Sequence, residues 1–233
     1  RLPGKPDIVL PKYKTVIFLN LYRLDKKILD GVNALKSNGR TLIFMGLSGK
    51  IFDFPDGKRT VSAANSEKLI GMKMKIESAA MPFSLWIDPD RTDFIPQKED
   101  LRFGAEECYP GLLESDDPTA ETIAFWCNGN PGMARKKFPE WTSVFIGGAR
   151  VPDIVWRTLF KDAGVHCYAQ CGDVASVNAS MVTYTASAYG ERVLTMPSRE
   201  ILEDVFTGEK IRTAEDGSCR LFLKRHETRV FFR

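Results

Sequence analysis

No stretch of this chain approaches the ~20 consecutive apolar residues that a helix needs to cross a bilayer, so no membrane-spanning helix is expected. The opening Arg1-Leu-Pro-Gly-Lys-Pro has no apolar run of the kind a secretory signal carries. Neither sign of charge dominates. The 33 basic residues are interspersed with 30 acidic ones, for a net charge of +3, so there is no electrostatic case for nucleic acid or an anionic membrane as partner. Histidine is scarce: only His166 and His226 occur, far apart, and a zinc site has few candidate ligands. Cys108, Cys127, Cys167, Cys171 and Cys219 make an odd set in a chain of 233 residues, which argues against a disulfide scaffold. They read as small buried hydrophobes. No metal and no cofactor is expected.

What is present points to a globular chain. Hydrophobic residues make up 43% and charged residues 27%, the balance of a packed protein rather than a disordered one. Thr15-Val-Ile-Phe-Leu-Asn is an almost uninterrupted apolar strand, suited to cover on both faces. Asp25 is placed to cap a helix whose Leu24, Ile28, Val32 and Leu35 recur at helical spacing. Asn38-Gly39 closes that segment, and Thr41-Leu-Ile-Phe-Met-Gly is a second buried strand. Residues 15–46 therefore predict a βαβ unit. The run from Trp141 to Gln170 predicts another: strand Trp141-Thr-Ser-Val-Phe-Ile-Gly-Gly, helix from Val151 to Ala163, strand Val165-His-Cys-Tyr-Ala.

Between them the pattern is less regular. Lys73 to Ala79 and Phe83 to Ile87 carry strand formers and suggest an antiparallel addition. Residues 88–120, rich in Pro, Asp and Glu, are expected to loop around the sheet. Thr122-Ile-Ala-Phe-Trp-Cys and Pro131-Gly-Met-Ala-Arg-Lys-Lys-Phe form a hairpin around Asn128-Gly-Asn. Beyond Gly172 the chain reads as short strands with turns at Tyr189-Gly-Glu, Thr207-Gly-Glu and Asp216-Gly-Ser.

These fragments resemble a known family. Tyr13-Lys-Thr-Val-Ile-Phe-Leu-Asn, Asn38-Gly-Arg-Thr-Leu-Ile-Phe, Ser48-Gly-Lys-Ile and Trp141-Thr-Ser-Val-Phe-Ile-Gly-Gly are similar to the glutamine-amidotransferase-like domain of β-galactosidase-type glycoside hydrolases, the trimerisation-type domain. Gly172-Asp-Val, Leu194-Thr-Met-Pro, Phe206-Thr-Gly-Glu and His226-Glu-Thr-Arg-Val-Phe match its C-terminal β module. The resemblance implies a flavodoxin-like, class I amidotransferase-like α/β fold with a parallel sheet over residues 1–171, followed by a small antiparallel β domain over 172–233. It also implies a strand and helix ahead of Tyr13, where this sequence has a dozen Pro-rich residues. Where the family carries tryptophan and tyrosine, the second strand here ends in Phe44-Met45.

The residues offer little chemistry. An amidotransferase needs a cysteine on a strand-to-helix elbow with a histidine in reach. Cys127, in Trp126-Cys-Asn-Gly-Asn, is the nearest imitation, but a hairpin follows it, and His166 falls in an expected strand. Ser48 lacks the flanking glycine of a nucleophile elbow, because Lys50 occupies that position. Asp88, Asp90 and Asp93 surround Pro89 and Arg91 and read as a solvated turn; Glu106, Glu107, Asp116 and Asp117 are read as loop-bound too. The resemblance implies that the family's catalytic carboxylate pair lies in a separate barrel domain, which is too large for this chain. No catalytic residue is therefore assigned. Asn20, Tyr22 and Ser48 are expected at the carboxyl end of the parallel strands, where open α/β folds bind ligands or meet neighbours. Trp86 and Trp126, with Tyr109, are the aromatic candidates for an interface or a sugar platform. The expected role is a non-catalytic accessory or oligomerisation region, packing on a catalytic barrel of the same parent or on a homo-oligomer partner. A carbohydrate-binding module and a stand-alone amidotransferase-like enzyme are the alternatives.

Overall fold

A computed structural model describes residues 13–95 and 101–233, and these fall into two compact units that part between Val155 and Trp156. The extended arm expected over residues 1–12 lies outside the described residues. In chain order the first unit holds Thr15–Phe18 (β1), Arg23–Leu24 (β2), Lys26–Asn33 (α1), Arg40–Met45 (β3), Ile51–Asp53 (β4), Arg59–Val61 (β5), Ala63–Ile70 (α2), Met74–Glu77 (β6), Met81–Ile87 (β7), Leu101–Tyr109 (β8), Leu112–Ser115 (β9), Glu121–Phe125 (β10), Pro131–Lys137 (β11) and Trp141–Ile146 (β12). A third helix, Asp153–Asp162 (α3), crosses the junction.

The main sheet runs β1-β3-β12-β11-β10-β7-β8. β3 pairs in parallel with β1 on one side and with β12 on the other. From β12 outward every pairing is antiparallel. The crossover expected over 15–46 is present. Asp25 caps α1, its carboxylate accepting from the Ile28 amide at 2.7 Å, and β3 is buried along Leu42, Ile43 and Phe44.

The flavodoxin-like parallel sheet is not. Strands take up 43% of the structure and helices 12%, in a mixed, curled main sheet with several small ones. A strand has two hydrogen-bonding edges, and the physical reason lies there. β12 gives one edge to β3 and the other to β11, in register from Met133↔Ile146 to Lys137↔Thr142, so no later strand can join the parallel portion beside it. Val165-His-Cys-Tyr-Ala is accordingly not a strand. Its apolar character serves the second unit instead, where Tyr168 and Ala169 pack on the core and Tyr168 O accepts from the Thr195 amide at 2.8 Å. The stretch 88–120, expected as loop, contains β8 and β9. β8 pairs with β7, and β9 with β6.

One core lies between the parallel strands and α2: Leu42, Phe44, Leu69, Ile70, Met72, Trp141 and Phe145 are buried together. The Ser143 hydroxyl donates to Ile70 O at 2.6 Å and fastens β12 to the end of α2. Gly71 ends that helix at φ +81°, and a Cβ there would meet the Trp141 ring at 3.1 Å. Lys36 closes the same corner. Its ammonium lies 5.1 Å from the Trp141 ring centroid and donates to Lys68 O at 3.0 Å, and burial pulls it down to about 8. An amine desolvated in this way opposes folding while it is charged. Lys36→Met is expected to raise stability at pH 7 by roughly 1 kcal/mol, or about 2–4 °C in a chain of this size. Between pH ~8 and ~10.4 the unfolded chain holds a proton that the folded chain has released, so wild-type stability rises with pH there. The gap between the two proteins should narrow over that window, which paired thermal melts at pH 7 and pH 10 would measure.

The second unit contains Val174–Val177 (β13), Met181–Thr185 (β14), Gly190–Thr195 (β15), Ile201–Asp204 (β16), Lys210–Arg212 (β17), Ser218–Leu223 (β18) and Thr228–Phe232 (β19). They form a sheet of order β13-β14-β19-β16-β17 and the pair β15-β18. Alternation along β14 and β18 points Val182, Tyr184, Cys219, Leu221 and Leu223 into one core. The Tyr184 hydroxyl donates to the buried Asp173 carboxylate, which also accepts from the Ser187 amide at 2.7 Å.

Candidate functional site

The carboxyl ends of β1, β3 and β12 open into a cleft of about 410 Å³. Asn20 follows β1 with a left-handed φ of 52°, and its side-chain carbonyl accepts from the Leu47 amide at 3.3 Å across the gap to the end of β3. Gly46 permits that reach: a Cβ there would stand 2.9 Å from Asn20 Oδ1. The opposite wall comes from Phe83 on β7 and Tyr109 at the end of β8, whose rings meet edge to face at 5.8 Å. The β8–β9 turn beneath them is held by Lys50, whose ammonium donates to Gly111 O at 2.7 Å. Leu19 and Tyr109 are 76% and 50% exposed at the rim.

Among the described residues, the lining of this cleft is mostly apolar, with the Asn20 amide and the Tyr109 hydroxyl as its polar side-chain groups. Such walls can bury an apolar partner. Covering a fully exposed leucine side chain is worth about 1.5–3 kcal/mol, so Leu19 and Tyr109 together can supply the centre of an interface.

The predicted residues are only partly brought together. Asn20 lines the cleft. Ser48 is buried, with its hydroxyl donating to Met45 O at 2.6 Å, and so is committed to closing the turn after β3. Tyr22 is exposed, and its carbonyl accepts from the Ile51 amide in the small β2-β4-β5 sheet. Trp126 is buried to 1%, its indole N–H donating to Leu113 O at 3.0 Å. Trp86 is half-buried, with the Arg102 guanidinium 5.2 Å from its ring centroid. Cys127 is exposed, two residues past the end of β10, and His166 bonds through Nε2 to Thr195 O at 2.7 Å.

Trp86 belongs to a second hollow, of about 480 Å³, on the β7–β8 ribbon. Trp86 pairs with Arg102 on one side and Phe125 on the other, so the three stand in one cross-strand row. The next pair on the same face of the ribbon, two residues along, is Ser84 and Gly104. Gly104 has φ +124°, and a Cβ there would lie 2.2 Å from Phe83 O, so the floor of the hollow must stay bare at this point. Pro82↔Cys108 is followed by Ser84↔Gly104, so β8 carries two extra residues between Gly104 and Cys108, and this bulge contains Glu106.

Asp88, Asp117 and Glu114 are engaged in local hydrogen bonds. Asp88 Oδ1 accepts from the Asp90 amide at 3.0 Å within a turn. Burial alone would raise the Asp117 carboxyl, but Lys136, at 2.7 Å, and the Thr119 and Lys73 amides outweigh it and hold it well below the usual carboxylate range. Glu114, buried on β9, accepts from the side-chain amides of Asn128 at 2.6 Å and Asn130 at 2.9 Å, latching the β10–β11 turn. Its role was hidden in the sequence because β9 lies in the stretch read as loop.

No protein-family model matches this sequence, and no curated protein does. Solved structures do. A β-galactosidase from Bacillus circulans sp. alkalophilus superposes on 97% of this chain with a TM-score of 0.59 at 17% identity. One from the haloarchaeon Halorubrum lacusprofundi covers 98% with a TM-score of 0.61 at 15% identity, and the E323A catalytic mutant of Gan42B, a GH42 β-galactosidase from G. stearothermophilus, covers 95% with 0.59 at 15%. The structural neighbours are β-galactosidases. At these identities the likeness is one of fold. The chain spans about a third of their length, 34% in the first and 32% in the other two.

Proposed function

We propose that this chain is a non-catalytic accessory region of a β-galactosidase-like glycoside hydrolase, of the trimerisation type. It packs through the cleft at the strand ends against a catalytic barrel of the same parent or against a neighbouring subunit. The observation that carries this reading is coverage: β-galactosidases match nearly all of this chain while it accounts for a third of theirs. The cleft supports it. Exposed Leu19 and Tyr109 frame a hollow whose described walls are mostly apolar, the composition of a buried interface centre. The contribution to catalysis is geometric, holding a barrel or a second subunit in place.

Two measurements test this. The chain by itself is expected to leave nitrophenyl β-galactosides intact, and turnover that survives repurification would overturn the reading. In the longer protein, Leu19→Asp combined with Tyr109→Asp should place charge in the interface and weaken assembly at least about tenfold in sedimentation equilibrium, a penalty of ~1.4 kcal/mol. Unchanged assembly and unchanged melting in that variant would remove the cleft from the interface.

A further inference from the structure

The geometry points to a second site on this chain: we propose that the β7–β8 hollow binds a neutral hexose, with Trp86 as its platform and Arg102 and Glu106 as its hydrogen-bonding brackets. The proposal stands on this chain's own residues and goes beyond the accessory reading, which a failure here would leave untouched.

Three observations carry it. The hollow, at about 480 Å³, falls within the range of small-molecule sites, about 300–1,000 Å³. Its floor is kept bare by Gly104, which the close approach of Phe83 O forbids to carry a side chain. And β8 is bulged over the segment that carries Glu106, a distortion that re-aims side chains and recurs beside functional sites.

The chemistry around that floor is mixed in the way a sugar requires. Half-buried Trp86 supplies the aromatic surface for the C–H face of a pyranose; Phe125, in the same lining, is buried with the Arg91 guanidinium on its ring. Arg102 offers a fork of donors and no acceptor; Glu106, ionised, offers acceptors and no donor; Ser84 offers a hydroxyl that does both. Along a regular strand Arg102 and Glu106 would be about 13 Å apart; here the bulge begins after Gly104, and the two side chains line the hollow from either side of that glycine in the chain. Vicinal hydroxyls, each donor and acceptor at once, can satisfy both brackets. The brackets are opposite in charge and exposed, so an ionic ligand would gain little from either, because exposed ion pairs are weak. A neutral polyol is the class that uses the aromatic floor and both brackets together.

Cys127 lines the same hollow and is exposed, which gives a reporter inside it. Cys171, exposed in the second unit, is an internal control. Methyl β-D-galactopyranoside and methyl β-D-glucopyranoside are titrated by calorimetry, with glycine as the zwitterionic comparison. Cys127 alkylation by iodoacetamide is followed by peptide mass spectrometry in parallel. At least one glycoside is expected to bind with a dissociation constant on the order of 1 mM, ordinary for a ligand of about a dozen heavy atoms, and to slow labelling of Cys127 but not of Cys171. Glu106→Gln and Arg102→Met, both at exposed positions, should each weaken binding by about fivefold, and Trp86→Ala by more. If Trp86→Ala fails to fold, the two exposed variants decide the matter alone. No heat and no protection at 50-fold that concentration, or protection by glycine and not by either glycoside, overturns the assignment. So does sugar binding that both exposed variants leave unchanged.

Discussion

Trp126→Ala is expected to cost the first unit about 3–5 kcal/mol, the largest single-site loss in it. Three contributions meet at this indole. Its bulk is buried to 1%; its N–H satisfies Leu113 O at 3.0 Å; and its ring fills a slot between two glycines. A Cβ on Gly147 would lie 2.4 Å from Trp126 Cζ2, and one on Gly132 would lie 2.8 Å from Cε2 and 2.2 Å from Leu85 Cδ2. Truncation leaves a cavity and an orphaned carbonyl together. The converse change, Gly147→Ala, forces overlap and should cost about 1–3 kcal/mol or more. The two should not add. With the indole gone, the main obstacle to a methyl at position 147 is gone, so the Gly147→Ala penalty should fall in the Trp126→Ala background. Urea unfolding of the four proteins of this cycle measures it. Additive losses, or a Trp126→Ala loss below about 1 kcal/mol, would mean that the slot is not what holds the ribbon to the sheet.

That slot also shows where sequence reading stops. The β1–α1–β3 crossover was legible because each part carries a local signal: an apolar run, Asp25 at the cap, the helical spacing of Leu24 and Val32. The β10–β11 hairpin was legible through Asn128-Gly-Asn, and most strands of the second unit through their alternation and their Gly turns. The flavodoxin-like sheet failed on a non-local property. An apolar run says that a segment is buried; it does not say which strand edge is still open. The apolar run Trp141–Ile146 predicts a further parallel strand beside it, yet β11 holds its second edge. Val165 to Ala169 is apolar for a different reason, since Tyr168 and Ala169 pack on the second core.

The site was legible in the same uneven way. Asn20 could be placed at the strand ends because a parallel pair fixes where its carboxyl ends lie. Phe83, Tyr109 and Leu112 could not be placed at the opposite wall, since that wall exists only once β7 and β8 pair. Trp86 stands out in the sequence as an aromatic candidate for an interface or a sugar platform. The partners that shape its hollow are Arg102, Gly104 and Glu106, on a strand hidden in a stretch dense with charge. The one available signal was the spacing of those three residues at every second position, the period of a strand.

In the second unit the decisive group is Asp204, and its removal should be nearly as damaging as that of Trp126. The carboxylate is almost wholly buried, and burial alone would raise its pKa. It is held at about 2 because the Arg229 guanidinium donates to one oxygen while the Phe206 and Thr207 amides, at 3.0 and 2.9 Å, donate to the other. Arg229 is shared with Glu209 at 2.8 Å, and its guanidinium carbon lies 5.4 Å from the Phe231 ring centroid. One carboxylate therefore ties the end of β16, the Thr207-Gly208 turn and β19. Asp204→Ala leaves a partly buried cation and two amides without their acceptor, a loss of about 3–5 kcal/mol. The pH dependence has a definite sign. The folded pKa lies below the unfolded value of ~3.9, so the unfolded chain binds the proton first as acid is added. The stabilisation from Asp204 is whole above pH ~4 and is lost as pH falls through about 2. Asp204→Asn keeps an acceptor for the amides but carries no titrating charge. It should be destabilised at pH 6, and its deficit against wild type should shrink between pH 4 and pH 2. Hydrogen exchange at the β16 and β19 amides resolves this unit from the first, and a deficit that stays constant down to pH 2 would show that Asp204 works through packing rather than charge.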